Sequence, residues 1–189
     1  ALGDSVNTKV SLNKANTTVP ATSTASASSD VYDVSSIVEN CMPSVVSITN
    51  VGTQEFRTIF GNYEQESQSS GSGIIIGQND TELLIVTNNH VVSGAKELSV
   101  YFNSDGQDAD EDNVISAKIK GTDADKDLAV IAVQLSDIPD ETMSSIKTAT
   151  VGDSSALKVG EPVVAIGNAY GYGLSVTSGI VSALNREVT

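Results

Sequence analysis

Eight short runs rich in valine and isoleucine, separated by glycine, asparagine, aspartate and serine, occupy most of this chain after Pro43 and leave no room for a long helix. They are SVVSITNV (44–51), SGIIIG (72–77), ELLIVTN (82–88), ELSVYFN (97–103), VISAKIKG (114–121), DLAVIAVQ (127–134), PVVAIGN (162–168) and SVTSGIVSAL (175–184). Branched side chains suit a pleated surface, and the runs alternate with period two or are short and wholly apolar, so each reads as a strand. With no helix of crossover length between them, the strands are expected to pair antiparallel. The expected fold class is all-β, a sandwich or a barrel. One short helix precedes them in this reading. In Asp33-Val34-Ser35-Ser36-Ile37-Val38-Glu39, Ser36 and Glu39 have the spacing of a capping box. Pro43 is expected to end that helix after about two turns.

Residues 13–29 read NKANTTVPATSTASASS, in which 12 of 17 are Ser, Thr or Ala and none is aromatic. Such a stretch buries too little apolar surface to offset its ordering entropy, so residues 1–32 are expected to be a flexible tether. The low share of hydrophobic residues, 39%, and the absence of Trp fit a chain that is not all core. Its 24 acidic and 10 basic residues give a net charge of −14. That balance disfavours nucleic acid as a partner, because phosphate binding requires clustered Lys and Arg. The single cysteine, Cys41, excludes an internal disulfide and a cysteine-based zinc site. No run approaches the ~18 apolar residues that span a bilayer. Ala1 in place of an initiating Met leads us to expect that an upstream piece, a signal or an anchor, has been lost.

The one histidine, His90, lies in Thr87-Asn88-Asn89-His90-Val91-Val92, at the end of the apolar run LLIV. A strand end places a side chain at the rim of a sheet, where a proton carrier can meet substrate. A lone histidine is, in general, more often a surface or satisfied core residue. Asp127 opens DLAVIAV after the polar loop GTDADK. An aspartate there can stay ionised, held by backbone N–H groups, and orient an imidazole. By itself it reads first as a loop acid or a turn former.

Taken in order, SGSGIII, TNNHVV, DADKDLAVIAV and VGDSSALKVGEPVVAIGNAYGYGLSVTSGIVSALNR resemble the protease domain of the HtrA/Deg family of trypsin-like serine endopeptidases. The likeness runs from about Ser36 to Arg186 and includes IVENCMPSVVSI. It implies two antiparallel β-barrels with the active site between them. The domain reading that follows is a tether (1–32), a leading helix with a complete first barrel (33–143), and an incomplete second barrel (144–189). His90 would be the general base and Asp127 its orienting carboxylate. In the family the nucleophile serine and the oxyanion donors lie in a Gly-Asn-Ser-Gly-Gly segment of the second barrel, after the strand matching SVTSGIVSAL. That segment does not occur in this sequence. The resemblance therefore implies a chain that carries the His and Asp of a triad without the Ser, inactive by itself, with the order His, Asp, Ser completed only in a longer protein. A different class of function, a noncatalytic binding or assembly module, follows from the same missing serine. No cofactor is implied. The implied partners are unfolded or misfolded proteins and further copies of the chain in a homo-oligomer, since family members trimerise. The implied location is the cell envelope or exterior, with membrane contact only through an anchor outside this sequence.

Three further motifs give weaker signals. Ser72, in Gly71-Ser72-Gly73, lies upstream of His90 and fails the nucleophile-elbow pattern, so its glycines read as a tight strand start. Gly167-Asn168-Ala169-Tyr170-Gly171-Tyr172-Gly173 lacks the Lys-Ser/Thr of a phosphate loop and reads as a turn. Asp108-x-Asp110-x-Asp112 and Asp123-x-Asp125-x-Asp127 begin like calcium loops, but position six is Asn113 or Leu128 and position twelve is Ile119 or Gln134. Neither fits a calcium site, and no metal is expected. The cluster from Asp105 to Asp112 reads as a solvated hairpin loop.

Overall fold

The computed structural model describes residues 13, 33–58, 61–102, 114–167 and 175–186. The acidic cluster at 105–112, residues 168–173 and, apart from Asn13, the expected tether lie outside the described residues. At Asn13 the tether reading meets a contact: the carbonyl accepts the N–H of Val151 at 3.0 Å, so at that residue the chain is bonded to the folded body.

Helix α1 (Ser35–Cys41) passes through a 3₁₀ turn at Met42–Ser44 into the first strand. Its start corrects the expected capping box. Val34 is the N-cap and makes no side-chain cap bond. Instead the Asp33 carboxylate accepts the Ser35 N–H at 2.9 Å and the Ser35 hydroxyl. A short aspartate side chain reaches the N–H two residues on, which supplies the open helix end with an acceptor before Ser36 and Glu39 can. No α1 residue is buried.

All eight expected strands are present: β1 (Val45–Thr58), β2 (Gly61–Gln78), β3 (Glu82–Thr87), β4 (Ala95–Phe102), β5 (Val114–Asp123), β6 (Leu128–Gln134), β7 (Pro162–Gly167) and β8 (Ser175–Ile180). The first six close a barrel in the order β1-β2-β3-β6-β5-β4, with every neighbour antiparallel. Closure leaves these strands no free edge along their paired length. Between β3 and β4 runs a single helical turn, α2 (Asn89–Val92), and after β6 comes α3 (Asp140–Ser145). Two departures from the sequence reading stand out. β1 and β2 run well past their apolar segments as a two-stranded ribbon, paired from Val51↔Gln68 to Thr58↔Gly61. Most residues of these two stretches are polar in the sequence, so they carry no apolar period by which to recognise them. The other departure is the short α3, whose Thr142 is buried and whose Met143 packs on the barrel core.

The core sits inside the barrel, built from alternate residues of each strand. Val46 and Ile48 of β1, Ile85 of β3, Val100 and Phe102 of β4, and Ile131 and Val133 of β6 are all 1% exposed or less. β7 and β8 pair with each other outside the barrel, in register from Pro162↔Ile180 to Gly167↔Ser175. Val163 and Ile180 on this hairpin remain exposed. β7 lies against β1 and β2, so the hairpin forms one wall of a cleft at the barrel's side.

Candidate active site

The register of β3 against β6 pairs Thr87 with Ala129, which brings Asn88 and Asp127 to the same rim of the barrel. Beyond Thr87 the chain makes the α2 turn. Val91 and Val92 face inward and are 5% and 0% exposed, and successive helical residues point about 100° apart, so burying these two turns His90 out to solvent. On β2, a Cβ at Gly71 would stand 2.5 Å from one Val91 methyl carbon and 2.7 Å from the other, a space that only glycine leaves open. Gly94, with φ +69°, ends the turn in the left-handed region where glycine is favoured.

Asp127 is one of two described non-glycine residues with positive φ, at +52°. Aspartate tolerates that region better than most residues. The sequence reading put Asp127 on the strand, whereas β6 begins one residue later, at Leu128. The tight turn aims its carboxylate along the rim at His90. Oδ2 lies 2.7 Å from His90 Nδ1, Oδ1 accepts the His90 backbone N–H at 2.9 Å, and Asn88 Nδ2 donates to Oδ2 at 3.2 Å and to the Asp127 carbonyl at 3.0 Å. The expectation that a backbone N–H would hold the carboxylate is thus met by that of His90 itself. Asn88 is a partner that sequence reasoning missed. It stands two residues before His90 in TNNHVV, but only the fold reveals that its amide reaches across to another strand.

The His90 backbone N–H, then the His90 ring and the Asn88 amide, hold the Asp127 carboxyl below the usual carboxylate range, against a smaller opposing effect of desolvation. An ionised carboxylate only accepts hydrogen bonds, so Nδ1 carries the proton of the short bond, the tautomer that in a neutral imidazole leaves Nε2 as the basic nitrogen. The sign for pH follows. A carboxyl whose folded value lies below its unfolded value contributes stability that is fully present above the ordinary value of about 3.9 and is lost as pH falls through the folded value. The Asp127 carboxyl carbon is accordingly expected to titrate, by NMR, with a midpoint below about 3.9. A midpoint at or above that value would contradict the arrangement of donors. Side-chain exposures of 71% for His90 and 45% for Asp127 leave the pair in contact with water, so its worth is in orientation more than in stability.

His90, Asn88 and Val91 line one side of a cleft of about 400 Å3, together with Ser70, Gly71 and Ser72 of β2; Ala165, Ile166 and Gly167 of β7 and Ser175 and Thr177 of β8 line the other. Ser72 shares the cleft with His90, and a Cβ at Gly167 would lie 3.0 Å from the Ser72 hydroxyl. Thr87 fastens β3 to β2 beside the cleft, its hydroxyl donating to the Ser72 carbonyl at 2.7 Å. Of the second calcium-like run, Asp127 is engaged with His90, and Asp123 accepts from the backbone and the ammonium of Lys126, each at 3.1 Å.

Comparison with known proteins gives a consistent result. The trypsin-like peptidase domain family matches residues 71–189. The chain is 38% identical over 169 residues to the serine protease Do-like HtrA of Bacillus subtilis, a match covering 86% of this chain and 34% of that protein. It is 35% identical over 164 residues to the periplasmic pH-dependent serine endoprotease DegQ of Escherichia coli, covering 80% of this chain and 32% of that protein. Among solved structures, an HtrA-type protease with a decapeptide superposes with a TM-score of 0.64 at 28% identity, covering 82% of this chain and 46% of that one. The chain spans about a third of the length of these curated relatives.

Proposed function

The chain belongs to the trypsin-like peptidases of the HtrA kind, and from that membership we propose that it supplies the general base and the orienting acid of a serine endopeptidase acting on unfolded or misfolded proteins outside the cytoplasm. The observation that carries this reading is the 2.7 Å contact between His90 Nδ1 and Asp127 Oδ2 at the mouth of the cleft. In the proposed reaction, a serine hydroxyl gives its proton to His90 Nε2 as its oxygen bonds to the substrate carbonyl carbon. Asp127 keeps the imidazole in the Nδ1–H tautomer and stabilises the imidazolium. The proton on Nε2 then passes to the departing amine as the C–N bond breaks, and a water repeats the sequence to release the acid.

The nucleophile is not among the residues of this chain in the family's Gly-Asn-Ser-Gly-Gly form. We therefore take the chain alone to be inactive, with β7 and β8 as the opening strands of a second barrel. The periplasmic location in the name of the Escherichia coli relative supports an extracytoplasmic setting. The residues before the leading helix would link the domain to a membrane anchor by a path that touches the folded body at Asn13, and the trimer is the assembly this reading favours. Among the described residues no helix is long and apolar enough to cross a membrane. A noncatalytic binding or assembly module is the second reading, and cleavage by the full-length protein is what separates it from the first.

Casein separates the readings. The chain alone is expected to release no peptides, and the full-length protein is expected to release them. Robust release by the chain alone would overturn the assignment of the missing serine and make Ser72, beside His90 in the cleft, the first nucleophile to test by Ser72→Ala. No release by the full-length protein would favour the binding module.

A further inference from the structure

Along β1, the residues Val46, Ile48 and Asn50 fall on one face, since strand side chains alternate, and that face points into the barrel. The first two are 1% and 0% exposed, and Asn50 is 4% exposed. A third aliphatic residue would fill this position by the logic of the core, because burying an amide is unfavourable unless its hydrogen bonds are made. Asn50 makes only half of them. Its Nδ2 donates to the Val91 carbonyl at 2.9 Å and to the Ser93 carbonyl at 3.1 Å, while its Oδ1 is buried without a hydrogen-bond partner among the described residues.

Those two carbonyls belong to the residues one and three positions beyond His90. They are the open acceptors at the end of the α2 turn, which is too short to satisfy them internally. An amide 41 residues away in sequence thus caps the turn that carries the histidine. The backbone around this contact is fitted to it. Two residues along β1, where the pairing with β4 shifts register between Val51 and Gly52, a Cβ at Gly52 would stand 2.6 Å from the Gly94 carbonyl oxygen. Asn88 and Asp127 hold the start of the segment and Asn50 holds its end, so the His90 backbone is fixed on both sides of the ring.

We propose that Asn50 is a positioning residue for His90, fixing the α2 turn so that Nδ1 meets Asp127 while Nε2 faces the cleft; this rests on the peptidase reading for its role in catalysis, though not for the geometry. The test uses the fact that His90 is the one histidine of the chain, so ¹⁵N-histidine labelling gives a single Nδ1–H proton signal. Asn50→Leu removes both donors at similar volume, and Asn50→Thr keeps one hydroxyl donor. In the unaltered chain the signal is expected downfield and in slow exchange with water. In Asn50→Leu it is expected to be lost to exchange while the dispersed core methyl signals remain, and Asn50→Thr is expected to restore part of it. In the full-length protein Asn50→Leu is expected to lower kcat about 10²-fold with KM unchanged, the penalty for a displaced catalytic group.

A signal already lost in the unaltered chain, an unchanged signal in Asn50→Leu, or identical behaviour of the Leu and Thr variants overturns the proposal. If Asn50→Leu does not fold, Asn50→Ala, which adds no bulk, is read by the same criteria. A lost Nδ1–H signal with undiminished kcat would overturn the role of Asn50 in catalysis while leaving its hold on the histidine turn, whereas no turnover of casein by the unaltered full-length protein would count against the peptidase reading instead.

Discussion

His90→Ala is expected to lower the kcat of the full-length protein on casein by about 10⁶-fold, the loss seen when a triad loses its base. Asp127→Asn is expected to cost less, about 10⁴-fold, although it changes only one atom of the carboxylate. The difference has a physical origin in the contacts described here. Asp127 accepts twice from His90, once from the ring and once from the backbone N–H. An amide can satisfy one of these bonds only by turning its NH2 toward the other. If the NH2 faces Nδ1, that nitrogen must become an acceptor and the proton moves to Nε2, where it blocks attack by the serine. Folding is expected to survive in both variants, since the pair is exposed and its contribution to stability is small. Matched thermal melts of the three proteins separate loss of chemistry from loss of structure. Undiminished turnover in His90→Ala would end the assignment of His90 as the general base.

The largest effect on stability is expected at Phe102. It is 1% exposed, lies opposite Val46 at the seam where β4 meets β1, and is the largest of the fully buried side chains among the described residues. Phe102→Ala removes the ring and leaves a cavity that a closed barrel cannot easily collapse, since every strand is fixed by two neighbours. The expected destabilisation is about 3–5 kcal/mol, against a total of about 5–15 kcal/mol for an ordinary domain. Urea unfolding followed by circular dichroism measures it. A loss below about 1.5 kcal/mol, the range of volume-conserving core swaps, would mean that the seam repacks and that the ring is not the keystone its burial implies.

How much of this was legible beforehand varies by element. The eight strands were readable because branched apolar residues recur with period two, a local signal. Their ends were less so: the β1–β2 ribbon includes polar residues such as Thr53, Gln54, Glu64 and Gln65, which carry no apolar period in the sequence although the backbone register pairs them. Helix α1 is legible in its apolar start and in Pro43, whereas its cap is not, because Ser36 and Asp33 are both competent acceptors and only the backbone path chooses between them.

The sequence by itself determined the fold class, the two residue types able to hold and move a proton, and the family likeness that joined His90 to Asp127 across 37 positions. Tertiary structure alone decided which groups hold that pair: the Asn88 amide on the carboxylate, the space at Gly71 into which Val91 fits, and the buried Asn50 at the end of the histidine turn. The reason is range. Periodicity and motif are properties of neighbouring residues. A hydrogen bond from β1 to the turn after β3 exists only once the barrel has closed and set residues 41 positions apart side by side.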